Sequence, residues 1–396
     1  MESPSLDIEH ALHVAEEQVR RLVTDYPVQF PTYTQRGKWH FEDDPWAPVW
    51  TGGFLAGQLW IFAELSGEEW WRNRAEQYSL ALEPRKTDAG THDIGFLFDP
   101  SWGRWHALDA SARTTDVLVQ AGRTMAGRFN PNGHYLRTWV DAGSTFIDVM
   151  MNIGVIFRAA ALSGDEGLRR IAVEHALTTR KFLVRGDATT VHEGWFDPRS
   201  GQFLHAATHQ GFRSDSCWAR GLAWGIYGFG TAFQGSGDSR FLTTARSLAD
   251  TYVQRTGTDY IPPNDWDDPR PVQPYESSAA AIAASGMLQL AELCEDDGAE
   301  YARYAVGILT ALTGSTFLAD PDREWEGVLR HATYHHGNGL GVDESVMWGD
   351  YYFTEALWRL ASSPSLRTLA GFPGGSASDS TTAQQPIRDS PGRTSR

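Results

Sequence analysis

The sequence has few cysteines and no long apolar run. Its two cysteines, Cys217 and Cys294, lie far apart and match no zinc or redox spacing, so we expect free thiols in the interior. No stretch of about 18 uninterrupted apolar residues is present, and no membrane-spanning helix is expected. The N-terminal segment MESPSLDIEH lacks the basic and apolar regions of a signal peptide. These absences together predict a cytoplasmic protein.

Positive charge is also scarce. The chain carries 34 basic and 50 acidic residues, a formal net charge of −16, which argues against a nucleic-acid partner because such binding needs a basic face. No glycine-rich nucleotide motif occurs, and the histidines, including His335 and His336, lack the spacing of metal ligands. We therefore expect no metal, cofactor, nucleic acid or membrane partner, and the sequence leaves the oligomeric state open.

Aromatic residues, by contrast, are abundant. They make up 12% of the 396 residues, with 16 tryptophans, and 41% of the chain is hydrophobic, which suits a large buried core. Tryptophan faces suit the C–H surfaces of sugar rings, although core packing is the commoner role of any single tryptophan. The tryptophans that we expect near one end of the fold are Trp39, Trp46, Trp50, Trp139, Trp195, Trp218 and Trp224.

A pattern of paired helices repeats along the chain. In each unit an apolar helix, hydrophobic nearly all round, is followed by a tight turn and by an amphipathic helix with one charged face. Pro100 is expected to interrupt the second apolar helix. The N-terminal helix, capped by Ser5 and running to about Tyr26, provides the outer partner of the last one. The apolar members read GGFLAGQLWIFAEL, HDIGFLFDPSWGRWHAL, TFIDVMMNIGVIFRAAAL, SDSCWARGLAWGIYGFGTAF, YESSAAAIAASGMLQLAEL and SVMWGDYYFTEALWRL.

Six inner and six outer helices in alternation predict an all-α fold, a closed (α/α)6 barrel formed by a single domain over residues 1–370. An open helical solenoid is the alternative, but the pairing of the first and last segments favours closure. A short β-hairpin is expected between about Thr190 and Ala207, near the open end of the barrel. The tail over residues 371–396 has few apolar residues and is expected to be disordered.

The long loops are expected to gather at one end of the barrel, which we call the mouth. The tight turns all join an inner helix to an outer one, so the long loops all precede inner helices. Loops on a rigid scaffold are where binding residues concentrate. The residues that fall at the mouth are Trp50, Asp93, Trp139, Asp148, His209, Arg220 and Tyr334.

Asp148 is the first candidate catalytic residue. It lies in the apolar stretch FIDVMMNIGVIF, and loss of water favours the protonated form of a carboxyl group. A carboxyl that keeps its proton near neutral pH can act as a general acid. The alternative is a capping box, in which Thr145 and Asp148 only satisfy backbone N–H groups of a helix.

Asp93, in THDIGF, begins the second inner helix at the same level as Asp148. Two carboxylates at one mouth disfavour simultaneous ionisation, so the pKa of one of them rises. The alternative is again a helix cap, formed by Thr91 or by Asp93 itself. Further along, His209 and Gln210 precede another inner helix and could hydrogen-bond a water or a sugar hydroxyl.

Arg220 is the candidate for binding an anionic group. Arginine is a bidentate partner for a carboxylate or a sulfate, and Arg220 lies four residues before Trp224 on one face of an inner helix. The alternative for Arg220 is a buried ion pair with Asp215 or Asp93. The residues alone favour neither interpretation.

Taken together, these motifs resemble the unsaturated glucuronyl hydrolases of glycoside hydrolase family 88. The resemblance is carried by HDIGFLF around Asp93, FIDVMMN around Asp148, THQGF with SCWARGLAWGIYGF, and GVDESVMWGDYYFTEAL near the end. It spans roughly residues 6 to 362. That family has an (α/α)6 barrel, in agreement with the helix pattern.

The resemblance implies a hydrolase that releases a 4,5-unsaturated uronic acid from the non-reducing end of lyase-generated oligosaccharides, such as unsaturated chondroitin or hyaluronan disaccharides. It implies Asp148 as the general acid and base and Asp93 as the assisting carboxylate. The sequence YHHGNGLGVDE departs from the family pattern near Tyr334, which concerns selectivity for the second sugar. The residues that the resemblance assigns to the sugar site are Trp50, Trp139, His192, His209, Gln210, Arg220, Trp224 and Tyr334.

In this chemistry Asp148 protonates C4 of the vinyl ether, and water adds at C5 while Asp148 takes a proton back. Three alternatives remain at this point. An unsaturated rhamnogalacturonyl hydrolase would perform the same chemistry on pectin fragments. An epimerase of the N-acylglucosamine type would use a histidine pair on the same barrel, and a sugar-binding protein would have no activity.

Overall fold

The computed structural model describes residues 6–41, 49–270, 273–319 and 324–372. Ser5 and Trp46 lie outside the described residues. The tail from residue 373 onward, for which the sequence predicts disorder, also lies outside them. Within the described ranges, no helix is both long and apolar enough to cross a lipid bilayer.

Six inner helical segments form the wall of the barrel in the described part of the chain. They are apolar on all sides, and most of their residues are buried. All six run away from the mouth. Their bounds are Gly52–Ser66, Ile94–Phe98 continued by Asp99–Gly103 and Arg104–Leu108, Val149–Asn152 followed by Gly154–Ser163, Ala219–Ser236, Ser277–Leu293, and Met347–Ser362.

Six outer helices surround this wall in the same described ranges. Each buries one face against the inner helices and presents charged residues on the other. Three of them begin at an aspartate whose side chain accepts from a backbone N–H of the first turn. The outer helices are Ile8–Asp25, Glu69–Leu82, Ala112–Ala126, Glu166–Phe182, Ser239–Thr256 and Gly298–Leu312.

The ring of helices is closed. The last inner helix, Met347–Ser362, packs against the first, Gly52–Ser66, and the N-terminal helix Ile8–Asp25 packs against both. The (α/α)6 barrel predicted from the sequence is thereby confirmed, and the open solenoid is excluded. The short helix Pro364–Leu369 follows and packs against the last two inner helices.

Short strands and single helical turns fill the loops. The predicted hairpin is present as Glu193–Phe196 and Phe203–Ala207, and Ser144–Phe146 adds a third antiparallel strand that was not expected. The other strands are Thr34–Gln35, Lys38–Trp39, Phe129–Asn130, Tyr135–Leu136, Ala332–His335 and Leu340–Glu344. The single helical turns are of the 3-10 type and comprise Val49–Thr51, Glu83–Thr87, Gly257–Asp259 and His336–Asn338.

Two helix boundaries differ from the sequence prediction, and one predicted interruption is confirmed. The N-terminal helix is capped by Asp7, whose carboxylate accepts from the backbone N–H of His10 at 2.9 Å, rather than by Ser5. Pro100 interrupts the second inner helix as predicted, because the segment Asp99–Gly103 widens into a π-helical turn before the α-helix resumes at Arg104. The third inner helix begins only at Val149.

Glycines let the inner segments approach one another closely near the mouth. A Cβ atom built on Gly53, in the first inner helix, would lie 2.0 Å from the carbonyl oxygen of Phe96 in the second. At Gly95 it would lie 2.4 Å from the Cα atom of Asn152 in the third. Any larger side chain at these positions would push the helices apart. This close approach brings the two candidate carboxylates to the same end of the barrel.

Gly53→Ala should therefore lower the free energy of unfolding, because the added methyl group meets backbone atoms that cannot move aside. We expect a loss of about 1–3 kcal/mol from overpacking, measured by urea denaturation followed by circular dichroism. Gly186→Ala is the matched control, since no atom of the described residues lies within 4 Å of its Cβ position. Equal stability of both variants would contradict the close packing.

Candidate active site

Asp148 lies between a strand and a helix at the mouth. The strand Ser144–Phe146 leads toward it, and the helix Val149–Asn152 follows it. The backbone N–H of Ile147 donates to the carbonyl oxygen of His192 at 2.9 Å, so the turn that carries Asp148 is tied to the start of the hairpin. The position of this carboxyl group is therefore set by backbone pairing.

Neither candidate carboxylate caps a helix. The hydroxyl of Thr145 donates to the carbonyl oxygen of Leu136 at 2.8 Å, and the Asp148 side chain accepts no backbone N–H of the helix that follows. Asp93 also precedes a helix without capping it, and one of its oxygens accepts from the Thr91 hydroxyl at 2.8 Å. Caps formed by the carboxylates of Asp148 and Asp93 are therefore excluded, although the Thr91 hydroxyl oxygen accepts from the backbone N–H of Asp93 at 3.1 Å.

The environment of Asp148 favours its protonated form. Its Oδ1 atom is buried and has no hydrogen-bond partner among the described residues. Burial raises the pKa of Asp148 from 3.8 to about 7, with a further contribution from the negative charge of Asp93, and against the opposing charges of Arg220 and His209. The residue keeps partial solvent exposure, so a substrate can reach it.

Asp93 lies in a more polar environment than Asp148. Its Oδ1 atom is 3.4 Å from Nε2 of His92, a buried histidine that the sequence did not single out. Burial lowers the pKa of His92, so its ring is neutral at pH 7. Both oxygens of Asp93 thus have a neighbouring donor, whereas Oδ1 of Asp148 has none in the described structure.

His192 presents a hydrogen-bond donor at the mouth. Its Nδ1 atom accepts from the backbone N–H groups of His209 at 3.1 Å and Gln210 at 3.3 Å. Burial holds the pKa of His192 well below 6.5, and the charges of His209 and Arg220 lower it further. The neutral ring therefore carries its proton on Nε2, which is buried without a partner in the described structure. A buried donor left unpaired is costly, which favours a bound water or ligand there.

His209 forms an ion pair with a glutamate that the sequence analysis missed. Nε2 of His209 is 3.2 Å from Oε2 of Glu193, and this hydrogen bond raises the pKa of His209 above 6.5. The side chain of His209 is 41% exposed, while that of Glu193 is 2% exposed. A ring that this pair biases toward its protonated form is thus accessible at the mouth.

Arg220 forms a buried ion pair, but not with the partners expected from the sequence. Its Nη1 atom is 2.8 Å from Oε2 of Glu276, which precedes the fifth inner helix. Asp215 instead pairs with Arg213 at the surface, and Asp93 pairs with His92 and Thr91. The alternative of a buried ion pair for Arg220 is therefore correct in kind, but its partner is Glu276 rather than Asp215 or Asp93.

The guanidinium group of Arg220 also holds two loops together. Its Nη1 atom donates to the carbonyl oxygen of Thr333 at 2.6 Å, and its Nη2 atom donates to that of Tyr334 at 2.7 Å. Nη2 also donates to the side-chain oxygen of Gln210. Both terminal nitrogens are thus occupied by protein acceptors, so Arg220 fixes the side chain of Gln210 and the backbone beside Tyr334.

Aromatic rings line the space beside these polar groups. The ring of Trp50 lies 4.9 Å from that of Trp348 and 6.1 Å from that of Tyr334, measured between centroids. Trp224 is only 2% exposed and lies between Phe96 and Tyr352, so it contributes to the bottom of this space. Of the rings predicted for the sugar site, those of Trp50 and Tyr334 are therefore close together, and that of Trp224 is more deeply buried.

Other predicted tryptophans make no ring contact with Trp50 or Tyr334 among the described residues. Trp139 is 63% exposed, and no close ring contact involves it among the described aromatic residues. Trp195 stacks on His205 of the hairpin. The indole of Trp39 is buried and donates to the carbonyl oxygen of Glu326 at 3.1 Å, which holds the N-terminal loop in place.

A cavity of about 710 Å³ opens at the other end of the barrel, among the C-terminal halves of the inner helices. Most of its charged groups are paired with each other. Glu355 accepts from Arg104 at 2.9 Å and from Tyr351 at 2.8 Å, and Asp99 accepts from Arg158 at 3.1 Å. These pairs account for most of the charge in that cavity, and the candidate chemistry lies at the mouth.

Two acids at the site escaped the sequence analysis. Glu193 lies in VHEGWF, where an acidic residue within an apolar strand is the only signal available. Glu276 immediately precedes the helix SSAAAIAASG and looks like an ordinary capping residue. Their partners, His209 and Arg220, lie 16 and 56 residues away in the sequence, so only the fold reveals the pairs.

The fold and the site define a class of protein. A closed helical ring carries two neighbouring carboxyl groups at one end, one of them protonated near neutral pH, beside a row of aromatic rings. No group of three or more His, Cys, Asp or Glu side chains within the described ranges could hold a metal ion. Acid–base chemistry beside sugar-binding aromatic rings is that of a glycoside hydrolase.

Comparison with known proteins identifies the family. The chain is 32% identical to the unsaturated glucuronyl hydrolase of Bacillus sp. (strain GL1) over 323 residues, 78% of this chain and 86% of that protein. It is 29% identical to the unsaturated chondroitin disaccharide hydrolase of Streptococcus pyogenes serotype M1 over 368 residues, 89% of this chain and 91% of that protein. No family model matches the sequence. The chain belongs to the unsaturated glucuronyl hydrolase family.

Solved structures agree with this assignment. The crystal structure of the Bacillus sp. GL1 unsaturated glucuronyl hydrolase superimposes with a TM-score of 0.85 at 30% identity, over 92% of this chain and 98% of that one. A variant of the Streptococcus agalactiae enzyme, complexed with dGlcA-GalNAc6S, superimposes with a TM-score of 0.78 at 26% identity, over 91% of this chain and 93% of that one. The barrel and its loops are thus shared along nearly the whole chain.

Glu276→Gln should destabilise the protein, because it leaves the Arg220 charge buried without a counter-ion. We expect the free energy of unfolding to fall by about 3–5 kcal/mol, measured by urea denaturation. Asp215→Asn breaks an exposed arginine–carboxylate pair of the same type and should leave the unfolding midpoint unchanged, because water screens that pair. Equal effects of the two substitutions would show that the buried pair does not hold the loops.

Proposed function

We propose that the protein releases a 4,5-unsaturated uronic acid from the non-reducing end of lyase-generated oligosaccharides, with Asp148 as the general acid and base. The observation that carries this proposal is the Asp148 carboxyl group, which is desolvated, caps no helix and has one oxygen without a hydrogen-bond partner in the described ranges, beside a second carboxylate. An acid of this kind can both give and recover a proton near neutral pH.

The first step is protonation of the substrate double bond. In a 4,5-unsaturated uronic acid, the C4=C5 bond is conjugated with the ring oxygen as a vinyl ether. The Asp148 carboxyl group gives its proton to C4, and the electron pair of the double bond forms the new C4–H bond. Positive charge then develops on C5 and the ring oxygen, and the carboxylate left on Asp148 stabilises it.

The second step is addition of water at C5. The oxygen of water forms a bond to C5, and the proton that it loses returns to Asp148. The resulting hemiketal opens by breaking the bond between C5 and the ring oxygen, which leaves a hemiacetal at C1. That hemiacetal collapses to an aldehyde and frees the second sugar. A single acid that recovers its proton is sufficient for these steps. Inverting glycosidases instead need two carboxyl groups, which lie about 6.5–9.5 Å apart.

The neighbouring polar groups have defined roles in this proposal. The negative charge of Asp93 raises the pKa of Asp148 and so favours its protonated form before the reaction. The Nε2–H group of His192 and the side chain of Gln210 hydrogen-bond the uronate or the attacking water. The charged ring of His209 attracts the substrate carboxylate.

The remaining predicted residues shape the sugar site. Trp50 and Tyr334 offer ring faces for the unsaturated sugar, and Trp224 forms the bottom of the space. Trp139, with its exposed ring, is available to a more distant sugar. Arg220 acts through Gln210 and the backbone of Tyr334, because its terminal nitrogens are already occupied.

The substrate class follows from the relatives. The relatives described above are named as hydrolases of unsaturated glucuronyl or unsaturated chondroitin disaccharide substrates, and one related structure contains dGlcA-GalNAc6S. We infer that this chain accepts glycosaminoglycan-type disaccharides. None of these names includes a rhamnogalacturonyl substrate.

A panel of lyase-made disaccharides tests the proposal directly. We expect the ultraviolet absorbance of the conjugated double bond to disappear on incubation with the protein, most rapidly for glycosaminoglycan-derived members. Preference for pectin-derived members would favour the rhamnogalacturonyl alternative. Preserved absorbance with all members would leave an epimerase or a sugar-binding protein as the explanation.

Asp148→Asn should abolish most of the activity, because the amide cannot supply a proton to C4. We expect kcat to fall by about 10²–10⁴-fold in the double-bond assay. Asp99→Asn is the matched control, since burial raises the pKa of Asp99 as well, but it lies at the other end of the barrel, paired with Arg158. Full activity of the Asp148 variant would refute its role as the acid.

The fold of the Asp148→Asn variant can be checked independently by its stability. The pKa of Asp148 is higher in the folded protein, about 7, than its ordinary value of 3.8, so ionisation opposes folding as the pH rises through this window. The variant lacks this penalty. It should have a higher Tm than the unsubstituted protein at about pH 8, and an equal Tm below the ordinary pKa of an aspartate.

Activity should decline as the pH rises above about 7, because the essential acid loses its proton there. The measurement is kcat/KM against pH with an unsaturated disaccharide. The half-point of the decline should follow the titration of Asp148. Activity that keeps rising to about pH 9 would be incompatible with a protonated Asp148 as the reacting species.

A further inference from the structure

The three-stranded sheet beside the mouth gives Glu193 a fixed position. Phe146 pairs with Glu193 and Ser144 pairs with Trp195, so these four side chains share one face of the sheet. The strand Ser144–Phe146 leads directly into Asp148, two residues further on. Glu193 is therefore attached to the same short stretch of backbone that positions the proposed catalytic acid.

A chain of hydrogen bonds ends at Glu193. The Thr138 hydroxyl donates to the Ser144 hydroxyl at 2.8 Å, and the Ser144 hydroxyl donates to Oε1 of Glu193 at 2.5 Å. The other oxygen, Oε2, is 3.2 Å from Nε2 of His209. A carboxylate that only accepts hydrogen bonds is ionised. The hydrogen bonds from His209 and Ser144 lower the pKa of Glu193 against the effect of its burial.

His209 is surrounded by few other charges. Glu193 and Asp148 act on it in the direction of the protonated ring. His192 and His335 also lie within electrostatic reach, but the pKa of each is lowered, mainly by burial, so both rings are neutral at pH 7. Asp148 has a pKa of about 7 and is only partly ionised near neutral pH, whereas Glu193 is hydrogen-bonded directly to His209, so Glu193 is the main negative charge that faces this ring.

We propose that Glu193 is a positioning residue that keeps His209 as an imidazolium ion at the mouth, where this cation receives the carboxylate of the substrate. This inference rests on the proposed function for the identity of that carboxylate. Among the predicted basic residues of the site, Arg220 has its terminal nitrogens occupied by protein acceptors and His192 is neutral. His209 thus supplies the local positive charge that an anionic substrate needs in an acidic protein.

A purely structural role for Glu193 makes different predictions. If Glu193 served only to brace the sheet through Ser144, removing its charge would affect stability but not the titration of His209. Glu193→Gln separates the two roles, because the amide keeps the size of the side chain and can still accept from Ser144. Ser144→Ala removes the brace and leaves the carboxylate in place.

Nuclear magnetic resonance of the histidine rings is the first experiment, and it needs no substrate. In Glu193→Gln the pKa of His209 should fall from above 6.5 to that value or below, whereas in Ser144→Ala it should stay raised. Glu174→Gln is the matched control, because it breaks a His–carboxylate pair with His134 at the surface, outside the site. An unchanged His209 titration in Glu193→Gln would overturn the proposal.

Kinetics with an unsaturated disaccharide is the second experiment. At about pH 7.5, Glu193→Gln should raise KM about tenfold, because a charge-assisted hydrogen bond to the substrate is lost, while kcat changes by less than about threefold. At about pH 5.5 the KM values of the two proteins should lie closer together, because a larger share of His209 is then protonated in the variant. Glu174→Gln should leave both constants unchanged.

The outcomes separate this inference from the proposed function. A KM ratio that is the same at both pH values would show that Glu193 does not act through the charge of His209. An unsubstituted protein that leaves the double bond intact would overturn the proposed function, while the shift of the His209 titration would still report on the pair. A normal rate with a pH-dependent KM ratio would support both.

Discussion

The Asp148 carboxyl group is held at the mouth with one oxygen that has no hydrogen-bond partner in the part of the chain that the structure describes, and the rest of the site depends on this. Desolvation raises its pKa to about 7, and such a shift persists only if no donor can reach the oxygen. The backbone ensures this, because Ile147 is tied to His192 and the next helix starts beyond the carboxyl group. The glycine contacts between inner helices keep the neighbouring Asp93 close.

Much of the architecture could be predicted from the sequence, because helices buried on all sides and helices with one charged face are distinct patterns. The ring of inner and outer helices follows from their alternation. The boundaries were less predictable. Thr145 and Phe146 lie in a strand, since pairing with the hairpin overrides a helical pattern that continues through them. Pro100 is accommodated by a π-helical turn, which depends on packing rather than on the local sequence.

Features of the candidate site that depend on neighbouring residues in the sequence could be predicted. Features that depend on residues far apart in the sequence could not. An acid within the apolar stretch FIDVMMN already indicates a raised pKa, and the structure has the desolvation expected of Asp148. The partner of Arg220 could not be deduced, because Glu276 comes from another inner helix and resembles a cap. The same holds for Glu193 and His209, which meet only because the hairpin folds back on itself.

The common direction of the inner helices has an electrostatic consequence. Six helix N-termini converge at the mouth, so the positive ends of their dipoles act on an anion there, but only within about one turn. At longer range the net charge of −16 repels the same anion. Salt screens the long-range repulsion over a Debye length of about 8–10 Å and leaves the short-range attraction largely intact. We therefore expect moderate ionic strength to speed the capture of an anionic sugar, the reverse of ordinary electrostatic steering.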